Sequence, residues 1–461
     1  MNFDKLKYVY FIGIGGIGMS ALARYFKAMG CQVAGYDKTA TTLTQQLINE
    51  GMQVQFDETV AALPPFINNA KTDELLIVYT PAIPKTHAGL MYLQNKFKIY
   101  KRAQVLGFIT QNSKTIAVAG THGKTTTSSI VAHLLVSNGC NCSAFLGGIA
   151  TNYNTNFISG NAAKPNHVVV VEADEYDRSF LTLFPEVAIV TSMDADHLDI
   201  YSNHQTLIQC YHQFVQQVQS GGCIIIKSGL PITTTAAKQI SYSTAQPAQA
   251  VADNIRIADG NYLFDYKFEN VSISDLQLGL PGRHNIENAV AAITAVLQYQ
   301  LNAMQIRNAL QSYQGVKRRY EKIFANNKVQ YIDDYAHHPE ELRAAILSAQ
   351  ELNSGKKITV IFQPHLFTRT RDFADAFAAV LSLVQQVILL PIYPARELPI
   401  DGVTSQMLAD KISCNVQLCE KENLLQVLQT KQLQVLLTLG AGDIDQLVNP
   451  ISQFLSQRYE N

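Results

Sequence analysis

Three times along this 461-residue chain an apolar run of about five residues ends in a loop and then opens a helix-like stretch. Residues 8–12 lead into Gly13-Ile14-Gly15-Gly16-Ile17-Gly18 and a helix to about residue 28. Residues 115–119 lead into 120–127 (GTHGKTTT) and a helix to about residue 137. Residues 329–333 lead through 334–339 into a helix near 340–351. Strand–loop–helix units repeated in this way predict an α/β fold of mostly parallel sheets. They also place ligands beyond the carboxyl ends of the strands. Further strands are expected at 32–36, 75–79, 167–172, 187–191, 357–362, 387–390 and 434–439, most of them continuous apolar runs suited to sheets covered on both faces. From about 238 to 280 the pattern changes to short alternating strands such as 262–268, which read as an antiparallel insertion or sheet edge. The length fits three domains, expected at 1–110, 111–316 and 317–461.

Bulk properties exclude several function classes. The net charge is −1 and no basic arm is present, which argues against nucleic acid as a partner. Seven scattered cysteines read as reduced thiols in a cytoplasmic protein. The spacing of Cys140 and Cys142 is wrong for a zinc knuckle. The apolar N-terminal run lacks cleavage-site logic and is too short to span a membrane. No membrane partner is expected, and the chain is expected to be a monomer or weak homodimer.

The chemistry is carried by acids, bases and glycines at strand ends. Gly13, Gly15 and Gly18 fit G-x-G-x-x-G, which lets a pyrophosphate approach a helix N-terminus. Asp37 ends the next strand, where a dinucleotide enzyme holds ribose. The 120–127 segment is a short G-x-x-G-K-T phosphate loop, since position 118 is Val. Its backbone N–H groups cradle phosphates, Lys124 neutralises β/γ oxygens, and the Thr125 hydroxyl binds Mg²⁺. Glu172 closes an apolar strand, where a Mg²⁺ ligand is needed beside such a loop. A carboxylate there would be nearly buried without a cation. His197 lies among Asp194, Asp196 and Asp199 after another strand, and reads as a ligand of the metal or of its water, oriented by Asp196 or Asp199. Asn285 and Asn288 can read an adenine edge, although Asn285 also suits a helix N-cap. Arg318 and Arg319 offer guanidinium groups for phosphate. The 333–339 and 363–371 segments place acid, histidine and arginine at strand ends, a setting for a small charged molecule whose carboxylate an arginine could hold.

In order and spacing GIGGIGMSALA, GTHGKTTTS, EADEYDRSF, DADHLDIY, PGRHNIENA, GVKRRYE, DDYAHHP and FQPHLFTRTRDF resemble the Mur ligases over almost the whole chain. The resemblance implies a Rossmann-like N-terminal domain, a central ATPase domain with a mostly parallel sheet, and a Rossmann-like C-terminal domain. It implies a ligase that uses ATP and Mg²⁺ to join the carboxylate of UDP-N-acetylmuramate to L-alanine through an acyl phosphate. Gly15, Gly16, Ile17 and Gly18 would hold the UDP diphosphate, and Thr80 to Ile83 and Arg102 would face the UDP-sugar. His122 and Asp174 would lie towards the muramate. Gly120, Thr121, His122, Gly123, Lys124, Thr125 and Thr126 would bind ATP, with Asn285 and Asn288 on adenine, Arg319 on phosphate and Asp334 on ribose. Thr125, Glu172 and His197 would bind Mg²⁺, directly or through water. Tyr335, His337 and Arg369 would surround L-alanine. Lys124, Glu172, His197 and Arg369 are the expected catalytic set.

Two positions depart from the family pattern. Leu366 stands where many relatives have arginine, leaving Arg369 or Arg371 for the carboxylate. No lysine occurs between His197 and Gly222, so His212 or water would replace the carbamylated lysine of several relatives, and no carbamylation is expected. The nearest rival is the recycling ligase that adds a murein tripeptide to UDP-N-acetylmuramate. It shares the EADEYD-like motif, but its first glycine loop usually differs. A dehydrogenase would leave Glu172 and the 120–127 loop unexplained, and a non-catalytic sugar-nucleotide binder would leave Lys124 without a task.

Overall fold

A computed structural model describes residues 3, 5–162, 164–195, 201, 203–234, 237–395 and 397–459. They form two compact units. The first comprises residues 1–253, 265–274 and 287–313; the second comprises 254–264, 275–286 and 314–461.

The N-terminal sheet of the first unit is parallel, in the order Gln53–Gln55, Gln32–Tyr36, Tyr8–Ile12, Leu75–Tyr79, Ile99–Lys101. The chain enters at the central strand and winds to both sides, which leaves a crevice at the carboxyl end where the winding reverses. The first glycine loop occupies that crevice. The helix after it, Ile17–Ala28, is buried continuously from Met19 to Phe26. Two different surfaces cover it, which is why its sequence is apolar nearly all round. One is its own sheet. The other is the hairpin of Cys142–Ala150 and Thr155–Ile158, where Tyr25 packs on Phe145 and Phe157 with ring centroids 5.4 and 5.9 Å away.

A polar bolt crosses the same contact. Asn156 is fully buried. Its amide donates to the Ile17 carbonyl (2.5 Å) and the Ser20 hydroxyl (2.9 Å) and accepts from Arg24. The Arg24 guanidinium in turn donates to Glu50 at 2.7–3.1 Å. Each buried polar group therefore has a partner, and removing any one would orphan the others.

The central ten-stranded sheet runs Val271–Leu278, Asn261–Phe268, Ala250–Ala258, Lys238–Ser243, Cys223–Lys227, Val187–Val190, Lys114–Ala119, Val168–Glu172, Cys142–Ala150, Thr155–Ile158. From Ala250–Ala258 to Cys142–Ala150 every pairing is parallel. Val169, Val170 and Val171 are fully buried, as their unbroken apolar run requires. The expectation of an antiparallel stretch from 238 needs correction. Lys238–Ser243 extends the parallel sheet, and only the strands after residue 250 form the edge, joined by two-residue links that fold neighbours back on each other.

The sheet of the second unit runs Glu321–Ala325, Gln330–Asp334, Val435–Leu439, Ile358–Phe362, Gln386–Leu389, Asn415–Leu418. Only its first pair is antiparallel. Among the described residues, no helix is long and apolar enough to cross a membrane.

Candidate active site

Residues 120–123 join Lys114–Ala119 to the helix Lys124–Val136, so the last four residues of the 120–127 motif already form its first turn. Gly120 has φ +138° and Gly123 has φ +81°, backbone states that L side chains resist. A Cβ on Gly120 would also lie 2.0 Å from Thr191 Oγ1, and one on Gly123 would lie 2.6 Å from Asn288 Oδ1. The loop is latched from the neighbouring strand end. Ser192 Oγ accepts from the His122 N–H (2.7 Å) and bonds Thr121 Oγ1 (2.8 Å), while Thr191 Oγ1 donates to the Ala119 and His122 carbonyls. No side chain caps the helix, so its first-turn N–H groups and its dipole suit an anion.

Lys124 is the first residue of that helix. Its ammonium donates to the Gly120 carbonyl (2.7 Å) and to both oxygens of Glu175 (2.9 and 2.8 Å). Burial opposes its charge, but the carboxylates of Glu175, Asp174 and Glu172 outweigh burial and hold its pKa above the ordinary lysine value. Burial pushes the Glu175 carboxyl up, against the pull of Lys124.

Thr125 Oγ1 donates to Glu172 Oε2 at 2.8 Å, and the Gly147 N–H donates to the same oxygen at 3.0 Å. A hydroxyl and a carboxylate side by side are hard oxygen donors of the kind Mg²⁺ prefers, so the two residues fit that ion. His197, Asp196 and Asp199 lie outside the described residues. Among those described, no group of three or more His, Cys, Asp or Glu is placed to hold a metal ion.

A cavity of about 300 Å³ opens beside this pair. Gly16, Ile17, Gly18, Thr80, Arg102, Glu172 and Asp174 all line it. Arg102 faces Asp174 at 3.7 Å. The structure therefore brings most of the residues expected on the UDP-sugar to one cleft with Glu172. Gly15 and His122 are not in its lining. The Gly15 N–H donates to Asp37 Oδ2 at 2.7 Å, so Asp37 serves the loop itself, where a dinucleotide enzyme would use it for ribose. His122 Nε2 lies 3.5 Å from Asp194. Asn288 abuts the loop at Gly123. Asn285 falls inside the helix Arg283–Val296, not ahead of it, and its amide donates to the Pro281 carbonyl at 2.5 Å. The N-cap reading of Asn285 is thereby corrected.

The second unit gathers a separate cluster. Asp334 ends Gln330–Asp334 and accepts from the Tyr320 and Ala336 N–H groups, both at 2.7 Å. Burial pushes its pKa up to about 7, with Arg319 pulling the other way. His337 Nδ1 lies 2.9 Å from the Tyr335 carbonyl. A carbonyl can only accept, so Nδ1 carries the hydrogen and Nε2 is the acceptor. Burial lowers this imidazole to about 4, against Glu341 and with Arg369. Arg318 and Arg319 lie over the Tyr335 ring at 5.2 and 5.3 Å. Arg318 also holds Asp333 (3.0 Å) and the Gly440 carbonyl (2.7 Å), which makes it a support for the strand ends.

Of the two arginines left for a carboxylate, Arg371 turns to solvent, 53% exposed, and pairs with Asp372 at 2.7 Å. It is not brought to the cluster. Arg369 is close enough to act on His337. Leu366 precedes their helix, Phe367–Asp372, with φ +70°, a costly state for a branched side chain. Its N–H donates to the Tyr393 carbonyl and its carbonyl accepts from Thr370 Oγ1.

Sequence reasoning missed Glu175, Gly147, Thr191, Ser192, Asn156 and Glu341. Glu175 stood inside a quoted motif. Glu341 also had a local signal, three residues after the helix N-cap His338, and it accepts from the His337 N–H at 3.0 Å. Gly147, Thr191, Ser192 and Asn156 carried none, because their partners are distant in sequence.

Family models described as "Mur ligase family, catalytic domain", "Mur ligase middle domain" and "Mur ligase, glutamate ligase domain" match residues 8–114, 118–296 and 318–442. The chain belongs to the Mur ligase family. Within that family it is 45% identical over 463 residues to a UDP-N-acetylmuramate–L-alanine ligase from Cytophaga hutchinsonii, covering 100% of this chain and 99% of that one. It is 46% identical over 457 residues to the enzyme of the same name from Porphyromonas gingivalis, covering 98% and 99%. The crystal structure of a UDP-N-acetylmuramate-alanine ligase from Thermotoga maritima superposes with TM-score 0.81 at 26% identity, covering 98% of this chain and 99% of that one. A murein peptide ligase from Psychrobacter arcticus shares the fold at TM-score 0.69 and 21% identity, with 97% and 98% covered.

Proposed function

We propose that this chain is an ATP-dependent ligase that joins the carboxylate of UDP-N-acetylmuramate to the amino group of L-alanine, releasing ADP and phosphate. The observation that carries the reading is the cleft of the first unit, where the N-terminal glycine loop and Glu172 line one cavity. A diphosphate on that loop would direct the rest of the sugar nucleotide towards the phosphate loop. The γ-phosphoryl group would then meet a carboxylate rather than water.

A carboxylate does not expel oxide, so direct condensation with an amine fails. Phosphoryl transfer from ATP to a carboxylate oxygen gives an acyl phosphate and ADP. The alanine nitrogen, once its ammonium has given a proton to solvent, attacks the acyl carbon as the neutral amine. The tetrahedral intermediate then breaks its C–O bond to phosphate, and the remaining extra proton on nitrogen passes to the departing phosphate or to solvent. Both steps depend mainly on positioning and charge neutralisation. Residues 120–126 cradle the phosphates, and Lys124 meets the β and γ oxygens. Thr125 and Glu172, with His197, would hold Mg²⁺, which would supply further neutralisation of the phosphate charge. Thr80, Arg102, His122 and Asp174 orient the sugar nucleotide. Asn285 and Asn288 take adenine, Arg319 phosphate and Asp334 ribose. Tyr335, His337 and Arg369 take L-alanine, with the guanidinium on its carboxylate and neutral His337 accepting from its ammonium.

Phosphate release measured with ATP, UDP-N-acetylmuramate and single amino acids tests the reading. Release is expected only when both UDP-N-acetylmuramate and L-alanine are present. Release with the murein tripeptide but not with L-alanine would establish the recycling ligase instead.

A further inference from the structure

Lys124 has three ammonium hydrogens and three acceptors, the Gly120 carbonyl and both oxygens of Glu175, all within 2.9 Å. It has no donor to spare for a phosphate. The Glu175 side chain is only 1% exposed, and its backbone carbonyl accepts from the buried Tyr201 hydroxyl at 2.5 Å. The pair is therefore fixed from both sides, 51 residues apart in sequence and over the loop that a nucleotide would enter.

We propose that Glu175 is a phosphate stand-in. It is a positioning residue that holds Lys124 in the nucleotide-free loop and is displaced when β- and γ-phosphoryl oxygens arrive. The proposal rests on reading residues 120–127 as a nucleotide loop. A carboxylate with two oxygens on one ammonium reproduces the contact that two phosphoryl oxygens would make. Breaking it on each binding event weakens the hold on nucleotide. Re-forming it helps to expel ADP after the acyl phosphate has been consumed. Glu172 and Asp174 lie near the same ammonium, so their charges add to the opposition that incoming phosphates meet.

The test is ADP binding by calorimetry to the full-length chain, beside steady-state phosphate release. Glu175→Gln keeps the shape and removes the charge. Its Kd for ADP is expected to fall at least fivefold, the KM for ATP to fall with it, and kcat to fall as ADP leaves more slowly. Tyr201→Phe loosens Glu175 without touching its charge and is expected to lower the ADP Kd about twofold. A merely structural role would raise Kd in both variants. An unchanged or raised Kd in either folded variant, judged by thermal melting, overturns the proposal. Lys124→Ala separates the two readings. If it still binds ADP like the unaltered chain, the nucleotide-loop assignment fails. If it loses ADP while Glu175→Gln gains nothing, only the stand-in fails.

Discussion

Gly147 lies on Cys142–Ala150 and touches the proposed chemistry only through its backbone. Its N–H donates to Glu172 Oε2, the oxygen that also accepts from Thr125. In Gly147→Ala the new Cβ would stand 2.1 Å from Oε2, 2.7 Å from Oε1 and 2.6 Å from the carboxyl carbon. Rotating the carboxylate gives no relief, because all three atoms are too close. To reach ordinary contact at 3.4 Å, the group must retreat by about 1.3 Å, drawing away from Thr125. Misplacement by about 1 Å in a site that works by positioning costs about 10²-fold in rate. Gly147 is exposed, so no core is disturbed. The loss of one hydrogen bond, about 1 kcal/mol, should lower the melting midpoint by no more than about 4 °C. Phosphate release followed across a Mg²⁺ titration should show kcat down about 10²-fold and the Mg²⁺ requirement raised, with the fold intact by circular dichroism. Turnover within about fivefold of the parent at the same Mg²⁺ would refute the role given to the Glu172 carboxylate and its glycine neighbour, since about 1 kcal/mol is all that fivefold represents.

Other expectations follow from the same geometry. Lys124→Ala should abolish turnover while UDP-N-acetylmuramate still binds by calorimetry; surviving turnover would remove the phosphate loop from the mechanism. Arg369→Ala should raise the KM for L-alanine more than that for ATP, whereas Arg371→Ala should leave both within about twofold, since its guanidinium turns to solvent and pairs with the exposed Asp372. Equal effects of the two would contradict the placement of Arg371. Asp334 titrates near 7 in the folded chain against an ordinary value of 3.8, so between those values the folded state holds the extra proton. Its contribution to stability therefore falls as pH rises from about 4 to 7 and stays low above. Asp334→Asn should gain on the parent by about 1–2 kcal/mol between pH 5 and pH 8 in denaturant melts. That is less than the ~4 kcal/mol that three pKa units represent, because the carboxyl is partly open to solvent. A pH-independent difference would show that burial does not set this carboxyl.

Much of the architecture was legible because the strands that build it are continuous apolar runs. Tyr8–Ile12, Leu75–Tyr79 and Val168–Glu172 could hardly be anything else. Cys142–Ala150 escaped notice because Gly147 and Gly148 interrupt its apolar pattern. One of those glycines is there to let Glu172 approach. Lys238–Ser243 alternates like an edge strand, yet it pairs parallel to Cys223–Lys227; alternation reports that one face is polar and says nothing about direction. The site shows the same division. Lys124, Thr125 and Glu172 sit in local motifs fixed by strand-end chemistry. The partner of Lys124 depends on tertiary distance, and Arg369 and Arg371, two residues apart on one short helix, part company only when the helix is placed.

The Asn156 bolt has a consequence for which substrates can react. It ties the helix behind the first glycine loop to the hairpin that carries Gly147 against Glu172. The proposed anchorage of the sugar nucleotide and the proposed place of carboxylate activation would thus behave like the jaws of a locked calliper. With both jaws engaged as proposed, molecular length decides the outcome. A nucleotide sugar whose acid hangs one bond too short or too long would be held firmly and never phosphorylated. Loosening Asn156 would blur that measurement before it weakened the grip.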